Sequence, residues 1–314
     1  MNTDFRRPTG VWQFGERRLE TGRRTLVMGV VNVTPDSFSD GGRYLAPERA
    51  VGHALRLLDE GADVIDVGAE STRPGTRTGT RAGDPAQAAV SAAEEQDRLL
   101  PVIEGLRRAR PDALISVDTY KAATARAAVM SGAEIVNDVS GLLWDEAMAA
   151  TCAELRCGVV LMHTRGRPEE WANLPALALD AVLAAVEAGL AEALTRAAAA
   201  GIAPEAIVLD PGYGFGKKLE ENFALLAGQS ELLRLGRPLL AGLSRKSFLR
   251  CALTRRRNSK AVTSEDLEVA SVAGLVAAIL AGASVVRVHD ARSAAAAAAV
   301  ADALPDQVGQ AARG

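Results

Sequence analysis

Residues 26–42 read LVMGVVNVTPDSFSDGG. A β-branched apolar run ends at a polar residue, Asn32, and gives way to a loop of Pro, Asp, Ser and Gly. The same grammar recurs along the chain. Short apolar runs lie at Leu26–Val33, Asp63–Val67, Ala113–Val117, Glu134–Val139, Gly158–Met162, Ala206–Leu209, Pro238–Leu243 and Ser284–Val288, each followed by a loop and an Ala/Leu-rich stretch. Runs this apolar suit strands covered on both faces, and their alternation with helical stretches is the rhythm of βα units. Such a series predicts an α/β fold, a (β/α)8 TIM barrel. The competing arrangement is a doubly wound open sheet, which would gather its site at one crevice. The polar residues favour the barrel. Asn32, Asp66, Asp118, Asn137, His163, Asp210, Ser244 and His289 stand at the ends of different runs, and a closed barrel brings all strand ends to one mouth.

Working outward, residues 1–25 are expected to form an N-terminal extension in which WQFGERRLE makes a small hairpin under the barrel. Residues 26–314 are read as a single barrel domain. The 48% hydrophobic content is enough for one large core or two small ones. A net charge of −3 offers no global electrostatic reason to bind nucleic acid or an anionic membrane. Cys152, Cys157 and Cys251 are sparse and lack metal-ligand spacing, so they read as thiols of a reducing compartment. The N-terminus has no apolar core of a signal peptide, and the Ala-rich tracts near 181–200 and 269–286 are broken by Glu, Arg or Gly. The expectation is a soluble, cytoplasmic protein with neither nucleic acid nor membrane as partner.

In VVRVHD, Arg287 and His289 are two apart on a strand and so point the same way. A guanidinium and an imidazole at the mouth of the last strands make an anion site; the plainer reading is that Arg287 pairs with an acid and His289 packs at the rim. Met28, Val30 and Asn32 share a face, and the Asn32 amide oxygen could join a substrate diphosphate in holding Mg²⁺, or could simply organise its loop. Ser71, Thr72 and Arg73, in the long Ala69–Pro85 loop, carry donors suited to phosphate. That loop and Ser37–Arg43 are the expected lids.

Asp118, Asn137 and Asp210 around one apolar pocket could recognise a flat heterocycle with alternating donors and acceptors. Carboxylates there would also stabilise positive charge on the ring. Alternatively, Asp118 and Asp210 cap the helices that follow. GYGFGK, 212–217, fails the phosphate-loop spacing and reads as a tight turn presenting Phe215. LAGLSRKSFL, 240–249, places Lys246 where it can reach a heterocycle carbonyl or a carboxylate. The Arg255–Arg257 run reads as a solvated loop.

MGVVNVTPDSFSDGG, ESTRPG, SVDTYK, VNDVSG, LMH, LDPGYGFGK, SRKSFL and VRVHD, in this order, resemble the motifs of the dihydropteroate synthase family of pterin-binding enzymes, from about Leu26 to Ala303. The resemblance implies a transferase of folate biosynthesis that joins 6-hydroxymethyl-7,8-dihydropterin pyrophosphate to p-aminobenzoate, a (β/α)8 barrel, a homodimer and a requirement for Mg²⁺. Carried over by motif, Asp118, Asn137, Asp210 and Lys246 hold the pterin, with Asp118, Asp210 and Lys246 catalytic. Asn32, Thr72, Arg73, Arg287 and His289 meet the diphosphate, with Mg²⁺ at Asn32. Phe38, Thr72, Pro74, Phe215, Lys246 and Ser247 form the p-aminobenzoate pocket, which sulfonamides would also enter. Ala69 stands where the family has a second Gly, and DLEVAS (266–271) departs from the usual start of the helix associated with the dimer contact. Two other readings share the barrel. A methyltetrahydrofolate:corrinoid methyltransferase would need no diphosphate site, and a non-catalytic pterin-binding paralogue would bind without releasing diphosphate.

Overall fold

The computed structural model describes residues 7–33, 45–70, 90–256 and 261–311. Two short strands come first, β1 (Gly10–Phe14) and β2 (Arg17–Thr21), paired antiparallel. The expected apolar runs then form β3 (Leu26–Asn32), β4 (Val64–Gly68), β5 (Leu114–Asp118), β6 (Ile135–Asp138), β7 (Gly158–Met162), β8 (Ile207–Asp210), β9 (Leu239–Ala241) and β10 (Ala283–Val288). They close into a parallel barrel in the order β10-β3-β4-β5-β6-β7-β8-β9. The (β/α)8 expectation holds, and its strand ends meet at one face.

The helices are α1 (Leu45–Asp59), α2 (Ala92–Ala109), α3 (Ala122–Met130), α4 (Met148–Leu155), α5 (Val182–Ala200), α6 (Leu219–Gly228), α7 (Ser247–Arg256), α8 (Ser264–Leu280) and α9 (Ala291–Ala311). Their boundaries follow local chemistry. Ser91 caps α2 by accepting from the Glu94 N–H, acids fill its first turn and Arg107 and Arg108 its last, matching the helix dipole. Thr263 and Asp266 make a reciprocal capping box at α8. None of the helices in the described residues is long and apolar enough to cross a membrane.

Strand alternation sorts the side chains. Ile65, Val67, Ile115 and Val117 are buried beneath the helices with Leu99, Val102, Ile103 and Leu106 of α2. Full burial of each such side chain contributes about 1.5–3 kcal/mol. The opposite set, including Asp66, Ser116, Asp118 and Asn137, turns into the barrel. The β4–β5 register pairs Asp66 with Ser116 and Gly68 with Asp118, and the β5–β6 register pairs Asp118 with Asn137. Gly68 leaves room for its neighbour, because a Cβ there would lie 3.2 Å from the Asp118 Cβ.

The β1–β2 hairpin covers the N-terminal end of the barrel. Trp12 is fully buried and its indole N–H donates to the Ala206 carbonyl at 2.8 Å, just before β8. Gly15 N–H donates to the Arg156 carbonyl ahead of β7, and Arg17 pairs with Glu134 ahead of β6. On the opposite flank Arg7 reaches Thr25 Oγ1 at 2.7 Å, the Ala283 carbonyl at 2.8 Å and Asp302 Oδ1 at 2.5 Å. Asp302 also accepts the Thr25 N–H. Residue 7 is therefore fastened to α9.

Candidate functional site

The barrel mouth holds a cavity of about 270 Å³. Asn32 from β3, Asp118 from β5, Arg287 and His289 from the β10 end, Phe215 and Lys246 from the loops after β8 and β9, and Ser247 from the start of α7 line it. Asn137 and Asp210 are more deeply buried at the ends of β6 and β8. Of the residues expected to hold pterin, diphosphate and p-aminobenzoate that fall within the described residues, Asn32, Asp118, Phe215, Lys246, Ser247, Arg287 and His289 surround one space, while Asn137 and Asp210 stand at neighbouring strand ends and do not line it. Phe38, Thr72, Arg73 and Pro74 lie outside those residues, as do Ser37–Arg43 and most of Ala69–Pro85.

Beneath the cavity runs a charge network. Arg287 donates through Nε to Asp66 Oδ2 and through Nη2 to Asp118 Oδ2, both at 2.6 Å. Asp66 also accepts Ser116 Oγ at 2.6 Å and Asn137 Nδ2 at 3.0 Å. The plainer reading of Arg287, pairing with an acid, is therefore realised together with its place at the cavity wall. Burial pushes the Asp118 carboxyl up to about 7, with the Arg287 guanidinium pulling against that rise. Burial likewise raises Asp210, opposed by the Gly212 N–H and the Lys246 ammonium. Burial disfavours the Arg287 charge, yet the carboxylates of Asp66 and Asp118 outweigh it and hold the guanidinium protonated.

Helix capping does not occupy Asp118. The first turn of α3 is served by Asp145, whose Oδ2 accepts the Ala122 N–H at 2.7 Å. Asp210 is partly committed, accepting the Gly212 N–H at 2.7 Å. That bond starts the tight turn into the loop bearing Phe215. Gly212 has φ +71°, and a Cβ there would fall 1.9 Å from the His163 carbonyl oxygen, so only glycine fits. The Lys217 ammonium closes the turn by donating to the carbonyls of Gly212, His163 and Phe215. Phe215 faces Lys246, whose Nζ lies 4.1 Å from the ring centroid, and Trp171 packs against it in a T-shaped contact with ring centroids 5.3 Å apart. His289 is oriented by Ser244, whose Oγ lies 3.0 Å from Nδ1.

Two strand-end expectations need correction. His163 follows the last residue of β7 and turns outward, packing under Gly189 of α5. It is buried, and burial, Lys217 and Arg165 lower its pKa to about 2. Asp66 lies inside β4, two residues short of its end, and does not line the cavity. Two contributors are given no role in the site by sequence alone. Asp66 holds Arg287 and Asn137 from below. Trp171, in the long β7–α5 connection, lines the cavity and has no periodic signal to mark it. At the rim, Lys121 bridges Glu70 at 2.6 Å and Glu95 at 3.4 Å, and Arg98 donates to the Ala69 carbonyl. These contacts tether the chain where it leaves β4. The Arg255–Arg257 run, expected as a solvated loop, instead starts inside the last turn of α7: Arg255 and Arg256 are helical and exposed, Arg255 pairs with Glu220, and Arg257 lies outside the described residues.

The family profile described as "Pterin binding enzyme" matches residues 28–289. A dihydropteroate synthase of Mycobacterium leprae is 44% identical over 271 residues, covering 85% of this chain and 89% of that protein. A Xanthomonas albilineans dihydropteroate synthase solved with 4-aminobenzoic acid is 41% identical with a TM-score of 0.81, covering 95% of this chain and 98% of its own. A Yersinia pestis dihydropteroate synthase solved as a sulfonamide drug complex is 37% identical with a TM-score of 0.81, covering 95% of this chain and 100% of its own.

Proposed function

The chain belongs to the pterin binding enzyme family, and from that premise we infer that it catalyses the dihydropteroate synthase reaction of folate biosynthesis. The observation that carries this reading is the mouth itself: the carboxylates and amide suited to an aminopyrimidinone ring stand beside the guanidinium and imidazole suited to a leaving anion.

The reaction is alkyl transfer. The C–O bond between the pterin methylene and the diphosphate breaks, the p-aminobenzoate nitrogen forms a bond to the same carbon, and that nitrogen loses a proton. Asp118, Asn137, Asp210 and Lys246 bind the ring. The two carboxylates stabilise the positive charge that spreads from the methylene into it, in a site where the low dielectric strengthens their effect. Arg287 and His289 receive the departing diphosphate, with Ser244 holding the imidazole. Phe215 and Lys246, backed by Trp171, form one wall of the p-aminobenzoate pocket, and Ser247 sits at the start of α7 beside it. Sulfonamides would compete there. No protein nucleophile is required.

Asn32 fits a role at a Mg²⁺ ion. It is exposed at the rim and offers a hard amide oxygen, and the described residues contain no group of three His, Cys, Asp or Glu side chains that would build a protein cage. That donor set suits an ion held largely by diphosphate and water. When bound, such an ion would neutralise charge on the leaving group.

The assembly we propose is a homodimer through α8. In the departing DLEVAS stretch Leu267 and Ser271 are buried within the chain and Glu268 pairs with Arg245, which leaves Val269, 67% exposed, for a partner. The free thiols of Cys152, Cys157 and Cys251 support a cytoplasmic location. The test of the activity is diphosphate release from the pterin pyrophosphate, with and without p-aminobenzoate and Mg²⁺. Release that depends on p-aminobenzoate is expected. Pterin binding without release would favour the non-catalytic reading, and methyl transfer to a corrinoid protein would favour the methyltransferase.

A further inference from the structure

Asp66 has no exposed surface and does not line the cavity, yet it holds Arg287, which does, and Asn137, the register partner of the cavity residue Asp118. Its Oδ1 accepts the Ser116 hydroxyl at 2.6 Å, and its Oδ2 accepts both Asn137 Nδ2 at 3.0 Å and Arg287 Nε at 2.6 Å. Each contact constrains a different freedom. An asparagine amide can be turned either way, which exchanges a donor for an acceptor. Only a donor can face a carboxylate, so Asp66 commits the Asn137 nitrogen to itself and leaves the amide oxygen for a ligand. A guanidinium has several donor edges. With Nε on Asp66 and Nη2 on Asp118, the plane of Arg287 is set between β4, β5 and β10.

We propose that Asp66 is a positioning residue for pterin recognition, acting through Asn137 and Arg287 without touching substrate. The inference rests on the dihydropteroate synthase reading. It adds that the donor and acceptor order of the ring-binding floor is fixed from beneath by one buried carboxylate. Ser116 keeps that carboxylate in plane. The register supports this, because Asp66 lies directly opposite Ser116 across β4 and β5.

The test compares wild type with Asp66→Asn, Ser116→Ala, Asn137→Ala and the Asp66→Asn/Asn137→Ala pair, all checked for folding by circular dichroism melting. Binding of the pterin pyrophosphate is measured by calorimetry, and both KM values by diphosphate release. Asp66→Asn is expected to weaken pterin binding by about tenfold or more while the KM for p-aminobenzoate stays within about twofold. In the Asn137→Ala background the same change is expected to do markedly less, since one of its routes is gone. The pH profile gives a readout that simple destabilisation would not. The charged groups acting on Asp118 are Arg287, Asp66, Glu95 and Lys246, and of these Asp66 and Glu95 hold it up. Removing the Asp66 charge should move the acid limb of kcat/KM to lower pH. Should Asp66→Asn not fold, Ser116→Ala is expected to raise the pterin KM alone, by about threefold. Unchanged pterin binding in a folded Asp66→Asn, or in Ser116→Ala if that is the only folded variant, overturns the proposal. Wild type that releases no diphosphate overturns the underlying reading instead.

Discussion

Nη2 of Arg287 meets Oδ2 of Asp118 at 2.6 Å, so the cation expected at the leaving anion also touches a carboxylate expected at the ring. The two halves of the site are one electrostatic unit. A change in the charge of either residue is felt by both substrate ends.

Asp118 gives the first expected outcome. Burial holds its carboxyl up to about 7, so the ligand-free enzyme carries a growing fraction of protonated Asp118 as the pH falls through that value. The ionised form is the one that stabilises the cation, so kcat/KM for the pterin substrate should decline on the acid side with a midpoint near 7. Asp118→Asn and Asp210→Asn should each lower turnover by more than about tenfold with the fold retained, and Asp118→Asn should abolish the acid limb. Wild-type turnover in a folded double variant would remove the electrostatic role.

Arg287 is also a stability element. Arg287→Met leaves Asp66 and Asp118 facing each other without their cation, and loss of one partner of a buried ion pair costs about 3–5 kcal/mol. Urea unfolding at neutral pH should show a deficit of that order. A variant as stable as wild type would mean that the two carboxylates find another partner or protonate without penalty.

The aromatic wall should separate the two substrates. Phe215→Leu removes the face that Lys246 covers and the edge contact with Trp171, together worth about 1–2 kcal/mol. The KM for p-aminobenzoate is expected to rise about tenfold, with that for the pterin nearly unchanged. Sulfonamides should inhibit wild type competitively with p-aminobenzoate and weaken in parallel in the variant. Insensitivity of the wild type at millimolar drug would show a remodelled pocket.

His163 should act as an acid sensor of stability without a part in turnover. Its folded pKa, about 2, is depressed below the unfolded 6.5, so the unfolded chain binds a proton that the native chain refuses between these values. Stability from the neutral ring is whole above 6.5 and is lost as the pH falls below it, by about 2 kcal/mol at pH 5. His163→Gln should therefore lose less stability than wild type between pH 7.5 and pH 5 in urea titrations; identical slopes would contradict the burial argument.

Trp12 separates the ends of the barrel. Trp12→Ala empties a fully buried site and breaks the bond to Ala206, at a cost of about 3–5 kcal/mol. At temperatures where the variant remains folded, kcat and both KM values should match wild type. A change in KM would show that the hairpin influences the mouth.

The barrel was legible because its strands are short, apolar and regularly followed by turn chemistry. Asn32, Asp118 and Asp210 were legible because each closes such a strand, and Asn137 because it is the polar residue next to the end of one. His163 misled for the same reason: it stands one residue past β7, where alternation sends it outward, and a strand-end count cannot see that parity. Asp66 was placed at a strand end although β4 continues to Gly68, which hid its depth. A signal existed, since an inward arginine two residues before His289 requires a counter-charge inside the barrel, and Asp66 is an inward acid of suitable depth. Trp171 carried no such signal. Its place depends on how a long connection folds back onto Phe215, and neither period nor motif encodes that.

The clasp of Arg7 on Thr25 and Asp302 brings sequence positions from opposite extremes of the described chain into contact. A circular permutant joining these positions through a short glycine-serine bridge, and reopened in the solvent-facing turn at Gly236, should assemble the same barrel, because no strand pairing would have to be severed.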